Sequence, residues 1–582
     1  MRHAHAVAAT RNYNAGLSEL PSMIDNRPRW NQRDLLWLML GAFAVLAAGI
    51  GLREPWPADE PRFALVAKTM VETGNYLFPH RGMELYPDKP PLFMWLQVLA
   101  YRLSGNWNIA FLLPSLLAAL GTIYLTFDIT RRLWGRKAAV IAGWVLLFTV
   151  QFTYQAKRAQ IDPVLVFMVT LSCYGFLRHL LLGPAWRWYA LGFFAAGLGI
   201  ITKGVGIIAV LMLPAFFIAR ALGAARLAPI EPAPLRWWLG VPWLVLALAL
   251  WLVPMLIAVL HSDNPLLHGY ARNILLGQTA QRYANPSHHF QPWWYFIQVI
   301  ATTWLPLVLM LPWAVPALYR RWRRRRDARF LVPALWALLV VLFFSLSPGK
   351  RDMYILPALP MLCVALAPGL LLALRQRACQ RLLFGFTVLL AMALTGAALA
   401  AIFGEPSFET KQEMQRGLLA NSNTHWWMLF TLGAIATVGA IVFRVRRAWD
   451  GLRFALAGLW IVGFGVWGFP LFDAYNSARG VMQRAGAIIG PDAELALVAW
   501  REQNLLQADR RVTEFGFKRS PADQLHSGIA WLAEAPADRW LLADRQYLGN
   551  CVVPDAITAA GMANRRDWVL LQWPAIREEC RR

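Results

Sequence analysis

Two carboxylates stand side by side at Asp59-Glu60, just past the first long apolar run, in Trp56-Pro57-Ala58-Asp59-Glu60-Pro61-Arg62-Phe63. Lys89 closes the same polar stretch in Asp88-Lys89-Pro90-Pro91. Asp162 opens a later apolar run, Lys203 interrupts another in Thr202-Lys203-Gly204, and Lys350 lies in Ser347-Pro348-Gly349-Lys350-Arg351-Asp352-Met353-Tyr354. Carboxylates and cations at the mouths of apolar segments suit chemistry on a molecule that lives at the lipid–water boundary. Each also has a plainer explanation. Asp59, Glu60 and Asp162 sit where acidic residues cap helices. Lys89, Lys203 and Lys350-Arg351, candidate phosphate ligands, sit where basic side chains snorkel from apolar surface. Against these stands their company, since all fall on one side of the membrane once the spans are placed.

The spans follow from hydropathy and charge. The chain has 582 residues, of which 58% are hydrophobic and only 15% charged; soluble proteins carry about 25% charged residues. Mean hydropathy is +0.41. Apolar runs of about 17–25 residues recur from 35 to 472, the pattern of a multi-span helical membrane protein. The net charge of +24 is concentrated in clusters between spans at 131–137, 178–187, 220–236, 320–329, 375–381 and 444–453. That distribution marks cytoplasmic loops and argues against nucleic-acid binding.

Placing all six clusters inside fixes the count. Spans are expected at 35–52, 107–129, 138–156, 162–180, 188–202, 204–221, 238–260, 295–318, 330–346, 353–374, 382–403, 426–443 and 454–472. The short run 90–104 starts at two prolines and carries Arg102, so it is assigned to the membrane surface. The odd number puts the N-terminus in and the C-terminus out. Residues 1–34 hold five arginines up to Arg33 and no long apolar run, which reads as a cytoplasmic leader. Residues 473–582 alternate apolar strand-like runs (494–500, 511–517, 539–548, 568–573) with one capped helix at 520–534.

Arg272, Arg282, His268, His288 and His289 share the outer loop 261–294. The histidines and Asp88 are candidate ligands for a divalent metal, although adjacent histidines lack the i, i+4 spacing of a helical zinc motif. No CxxC occurs, which argues against a cysteine-built zinc site. Cys173 and Cys363 lie in apolar runs; Cys551 and Cys580 are available to pair if the tail is extracytoplasmic.

Five stretches together resemble the lipid-A aminoarabinose transferases: the acidic pair, Asp-Lys-Pro-Pro, Thr-Lys-Gly, His288-His289-Phe290-Gln291-Pro292-Trp293-Trp294-Tyr295, and Pro348-Gly349-Lys350 through Pro357. That family lies in the superfamily of polyprenyl-phosphate-sugar glycosyltransferases that includes the protein O-mannosyltransferases. The resemblance covers roughly residues 35–360. It implies a GT-C fold: an all-α polytopic membrane core of about thirteen helices, surface helices in the first periplasmic loop, and a small C-terminal periplasmic α/β domain. The core would be 35–472 and the C-terminal domain 473–582. By the same resemblance Asp59 is essential, Asp162 and Glu60 join it as catalytic candidates, and Lys89 meets the carrier phosphate with Arg282 or Arg272 and Tyr354. Arg62, Tyr86, Lys203 and Lys350 complete the expected donor-binding set. The chain departs from the family pattern at Asp88, where glutamate is usual, and at Arg351, where an apolar residue is usual.

The implied activity is transfer of a sugar, 4-amino-4-deoxy-L-arabinose first, from undecaprenyl phosphate to lipid A in the bacterial inner membrane, with no nucleic-acid partner and no required cofactor. The same fold with another sugar or acceptor is the first alternative. A lipid or sugar transporter without covalent chemistry is the second, and a membrane scaffold acting through its C-terminal domain is the third.

Overall fold

Hydrocarbon offers a backbone N–H or C=O no partner outside its own segment, so apolar runs of membrane length fold as helices. The computed structural model of the chain describes residues 32–230, 234–281, 289–404 and 423–581. Residues 1–31 of the leader, Arg282 and His288 lie outside the described residues. Among the described residues, eight helices are long and apolar enough to cross a membrane, or ten if each of two sharply bent pairs is one span. Each expected run overlaps helix, but these eight to ten candidates fall short of the thirteen spans expected. Three of the overlapping helices, Gln32–Ala47, Trp186–Thr202 and Ala358–Ala373, have only 16, 17 and 16 residues.

The two bent pairs differ from the straight spans expected at 138–156 and 295–318. Arg136–Phe148 and Val150–Ala156 meet at 66°, and Tyr295–Thr303 and Leu307–Arg325 at 106°. Pro306 explains the second bend, because it lacks an N–H and turns the residue before it away from helical backbone. At the first, Thr149 is extended (φ −68°, ψ 119°). The Val150 N–H then leaves its own helix and donates to Leu305 O at 2.9 Å. The two breaks are therefore one junction. Gln151 fastens it, accepting from Trp304 Nε1 at 2.7 Å and donating through Nε2 to Asp352 O at 2.7 Å.

Another break places Lys203. Helix Trp186–Thr202 gives way to a 3₁₀ stretch, Gly204–Leu211. Gly206 folds back onto Gly199, so close that a Cβ on Gly206 would stand 2.1 Å from the Gly199 carbonyl carbon.

The loop after the first apolar helix carries two helices, Glu60–Thr73 and Leu92–Ser104, joined through a short hairpin of β1 (His80–Arg81) and β2 (Glu84–Leu85). Pro61 starts the first helix, and Gly74, at φ 71°, ends it. The second is 13 residues, about 20 Å long, against a hydrocarbon core of about 30 Å. The helices touch through Phe63 and Phe93, edge to face at 5.4 Å.

Beyond residue 476 the chain forms a mixed five-stranded sheet of β3 (Glu494–Val498), β4 (Val512–Glu514), β5 (Arg539–Asp544), β6 (Thr558–Ala563) and β7 (Arg566–Leu571), in the order β4-β3-β5-β7-β6. β3 runs parallel to β4 and β5, while β5, β7 and β6 pair antiparallel. Alternate residues face opposite ways. Leu495, Leu497, Leu542 and Leu570 share a core with Phe63, Met70 and Phe93 of the two loop helices. Ala496, Val498, Leu541 and Val569 share another with Leu525, Ile529 and Leu532 of helix Pro521–Glu534. Four strands coincide with the expected apolar runs. The fifth, β6, reads Thr-Ala-Ala-Gly-Met-Ala and lies at the sheet edge, where alanine and glycine carry little strand signal. Cys551 and Cys580 form a disulfide.

Candidate functional site

Asp59 occupies the N-cap position of helix Glu60–Thr73, yet its side chain accepts no capping hydrogen bond. Its carboxylate turns to other partners. Oδ2 accepts from Gln160 Nε2 at 3.1 Å and from an Arg351 guanidinium nitrogen at 3.4 Å. Oδ1 lies 3.5 Å from Arg62. The helix-capping explanation therefore fails for this residue.

Asp162, in the first turn of helix Ile161–Leu182, is buried and accepts from Lys203 Nζ at 2.7 Å. The same ammonium lies over the ring of Tyr354 at 5.1 Å. Tyr354 and Arg351 belong to one short turn, which Gln151 holds by the Asp352 carbonyl. Residues separated by nearly three hundred positions thus close a circuit: Asp59 to Gln160, along the chain to Asp162, across to Lys203 and Tyr354, and back through Arg351 to Asp59.

Glu60 is set apart from this circuit. It is fully buried, and its carboxylate receives two bonds from Arg53 (2.5 and 2.8 Å), one from Trp56 N–H (2.8 Å) and one from Ala159 N–H (2.9 Å). Burial pushes its carboxyl up, but the Arg53 charge and hydrogen bonds outweigh that and hold it below the ordinary carboxylate range. With four donors in place, Glu60 fixes its neighbours rather than offering a free carboxylate: Asp59 precedes it, and Gln160 follows the Ala159 amide it anchors. Lys157 braces the same corner, donating to Val45 O (2.9 Å) and Ala48 O (2.8 Å). Burial, with Arg53 near by, pushes its ammonium down to about 7.

Arg62 links the circuit to the loop and to the C-terminal sheet. Its Nε donates to Glu502 at 2.9 Å, and Arg81 lies 3.5 Å from the same carboxylate. Tyr86 packs beside Arg62; burial raises its phenol well above the ordinary value, against the opposing pull of Arg62. Tyr86 is therefore a neutral hydroxyl next to a cation. Lys89 lies three residues on in the same loop, half-buried.

Other expected residues are placed differently. Lys350 donates from Nζ to Gln291 O at 3.0 Å, and its backbone N–H donates to His289 O at 2.9 Å. It ties residues 289–291 to the 348–350 turn instead of joining Asp59. Arg272 ends helix Pro265–Arg272 and is exposed. His268 is exposed and bonds Ser262 O at 2.8 Å, His289 is exposed, and Asp88 is half-buried. Among the described residues, no three His, Cys, Asp or Glu gather as a metal site. In the sequence Gln160 reads only as part of a charged turn beside Asp162, Arg351 reads with Lys350 as a snorkelling cation or a phosphate ligand, and Glu502 is not singled out. Arg351 carried a signal, as a charge in a motif position usually apolar; Glu502 carried none.

Chemically, the circuit offers carboxylates, cations and a hydroxyl at the ends of helices, an arrangement able to take an anionic head group and place a second molecule beside it. A family model described as dolichyl-phosphate-mannose-protein mannosyltransferase matches residues 88–258. An undecaprenyl phosphate-alpha-4-amino-4-deoxy-L-arabinose arabinosyl transferase of Pseudomonas fluorescens is 31% identical over 375 residues, which cover 63% of this chain and 64% of that protein. Its namesake in Pseudomonas aeruginosa is 30% identical over 393 residues, 65% of this chain and 66% of that one. The matched stretch spans a little under two thirds of these relatives. The fold is similar to the crystal structure of ArnT from Cupriavidus metallidurans bound to undecaprenyl phosphate, with a TM-score of 0.71 at 19% identity, covering 93% of this chain and 98% of that one. The apo form of the same protein gives 0.64.

Proposed function

We propose that this chain, similar in sequence and fold to the aminoarabinose transferases, is an integral-membrane glycosyltransferase. It moves a sugar, 4-amino-4-deoxy-L-arabinose as the first assignment, from undecaprenyl phosphate to lipid A on the periplasmic face of a bacterial inner membrane. The observation that carries this is the circuit joining Asp59, Asp162, Lys203, Arg351 and Tyr354. The orientation rests on two supports. Thirteen spans with a cytoplasmic N-terminus put every basic cluster inside, and the Cys551–Cys580 disulfide suits an oxidising compartment on the far side.

In the proposed reaction an oxygen of the acceptor attacks the anomeric carbon, and the bond from that carbon to the carrier phosphate breaks with inversion. Undecaprenyl phosphate leaves with the electron pair. Lys89, Tyr354 and the arginine at 282 receive its growing charge in a site partly shielded from water, where such contacts count most. Asp59 orients the acceptor or takes its proton; a lipid A phosphate is already ionised, and Asp59 then grips and orients the substrates. Asp162 positions the sugar and is itself held by Lys203. Because the sugar arrives activated on its lipid, the reaction is proposed to need no cofactor. Protein treated with EDTA should keep its transfer rate in a liposome assay; a lost rate restored by a divalent cation would assign the metal role back to Asp88 and the histidines.

Mass spectrometry of lipid A from cells with and without the protein tests the proposal. The expected result is a protein-dependent mass increase of one aminopentose. An increase of another sugar, or on another envelope glycan, would reassign donor or acceptor within the same fold. The two broken helices at the site also suit a transporter. Counterflow of labelled lipid in liposomes without new product would favour that reading.

A further inference from the structure

Arg351 differs from the other cations around Asp59. Lys203 is held on Asp162 at 2.7 Å and Arg62 on Glu502 at 2.9 Å, within the range of strong charge-assisted hydrogen bonds. Lys350 is committed to a backbone carbonyl. Arg351 reaches Asp59 through one nitrogen at 3.4 Å, and 34% of its side chain is exposed. The backbone beneath it is fixed from both sides, by the Lys350 N–H on His289 O and by Gln151 on Asp352 O. A loosely held guanidinium on a rigid stalk therefore faces the candidate catalytic carboxylate, in the same turn as Tyr354.

We propose that Arg351 is a phosphate ligand of this site. In this structure it contacts Asp59. When a lipid-linked phosphate enters, the guanidinium moves onto it, which secures the phosphate and frees the Asp59 carboxylate. A guanidinium grips phosphate oxygens through two parallel bonds, so the exchange replaces one long contact by a stronger pair. The inference rests on the transferase reading above and deepens it. The phosphate has two available sources, the carrier lipid of the donor and the phosphorylated acceptor.

The test uses full-length protein in lipid nanodiscs, wild type beside Arg351→Leu and Arg351→Lys, with undecaprenyl phosphate as the binding probe and donor and acceptor KM measured separately. Losing one charge-assisted contact should weaken binding about tenfold in Arg351→Leu. Arg351→Lys, which keeps the charge and loses the fork, should fall between; it also stands in if the leucine variant does not fold. Weaker probe binding with a raised donor KM assigns the carrier phosphate. Unchanged probe binding with a raised acceptor KM assigns the acceptor phosphate. Variants that melt as wild type does, bind the probe equally and keep both KM values overturn the proposal. Wild-type protein that neither binds undecaprenyl phosphate nor transfers sugar would instead defeat the reading beneath it, and the proposal with it.

Discussion

Asp59 and Glu60 are adjacent, yet the structure gives them opposite characters. Asp59 meets two guanidinium groups at 3.4 and 3.5 Å, and 16% of its side chain stays exposed. Replacing it with asparagine should leave the fold intact and lower transfer by about a hundredfold or more; full activity in a quantitative transfer assay would remove it from the mechanism. Glu60→Gln should instead act on stability. Removing one partner of a buried ion pair costs about 3–5 kcal/mol, visible as a lowered melting temperature in detergent. The pH dependence follows from the direction of the shift. Glu60 titrates below its ordinary value of 4.5 in the folded protein. Its stabilisation is therefore present above that value and lost as pH falls through the lower folded pKa. The wild type should lose stability on acidification below about pH 4.5, and the variant should lose less over the same range. Asp59, Asp162, Lys203 and Tyr354 stood out as candidates in the sequence because a charge or hydroxyl beside an apolar run needs a reason. What was not legible was the pairing. Nothing in a string of residues says that Arg351 leans on Asp59, that Lys350 serves a carbonyl, or that Glu60 is already saturated with donors.

At the scale of elements, helix breaks place the chemistry. Lys203 projects where helix Trp186–Thr202 stops, and Gly206 permits that stop by lying against Gly199. Gly206→Ala puts a methyl group 2.1 Å from backbone, so the two stretches must move apart. The expected outcome is a loss of about 1–3 kcal/mol together with reduced transfer, since Lys203 no longer reaches Asp162. A variant with wild-type melting and wild-type rate would show that this contact does not set the position of Lys203. The helices were legible because hydropathy at membrane length leaves few alternatives. The bends were not. Thr149 is a weak breaker taken alone, and its extended backbone is stabilised by the Leu305 carbonyl, a partner more than 150 positions away.

Across the whole molecule, the two loop helices lie between the membrane core and the C-terminal sheet. Arg62 and Arg81 share Glu502, Met83 N–H donates to Glu514 at 2.8 Å, and Lys518 N–H donates to Glu84 at 3.2 Å. Ending the chain at Asn476 would uncover Phe63, Met70 and Phe93 and remove the partner of Arg62. Such a truncated protein should insert into the membrane, become sensitive to protease within 53–91, and lose transfer. Retained activity would make the sheet dispensable. The change of composition at 473 pointed to strands in the tail, and a five-stranded sheet lies there. Nothing in the sequence signalled that the tail completes the support of a loop four hundred residues earlier, because that interface is built from ordinary apolar residues and scattered charges.

The junction of the two broken helices bears on how the protein is made. Val150 and Gln151 emerge from the ribosome long before Leu305, Trp304 and Asp352, the groups that satisfy them. An early amide and an early carboxamide therefore gain these partners only once the later bent pair of helices has been made. Ribosome-bound nascent chains stopped shortly before residue 300 should hold this corner open, and chains extended past 360 should close it.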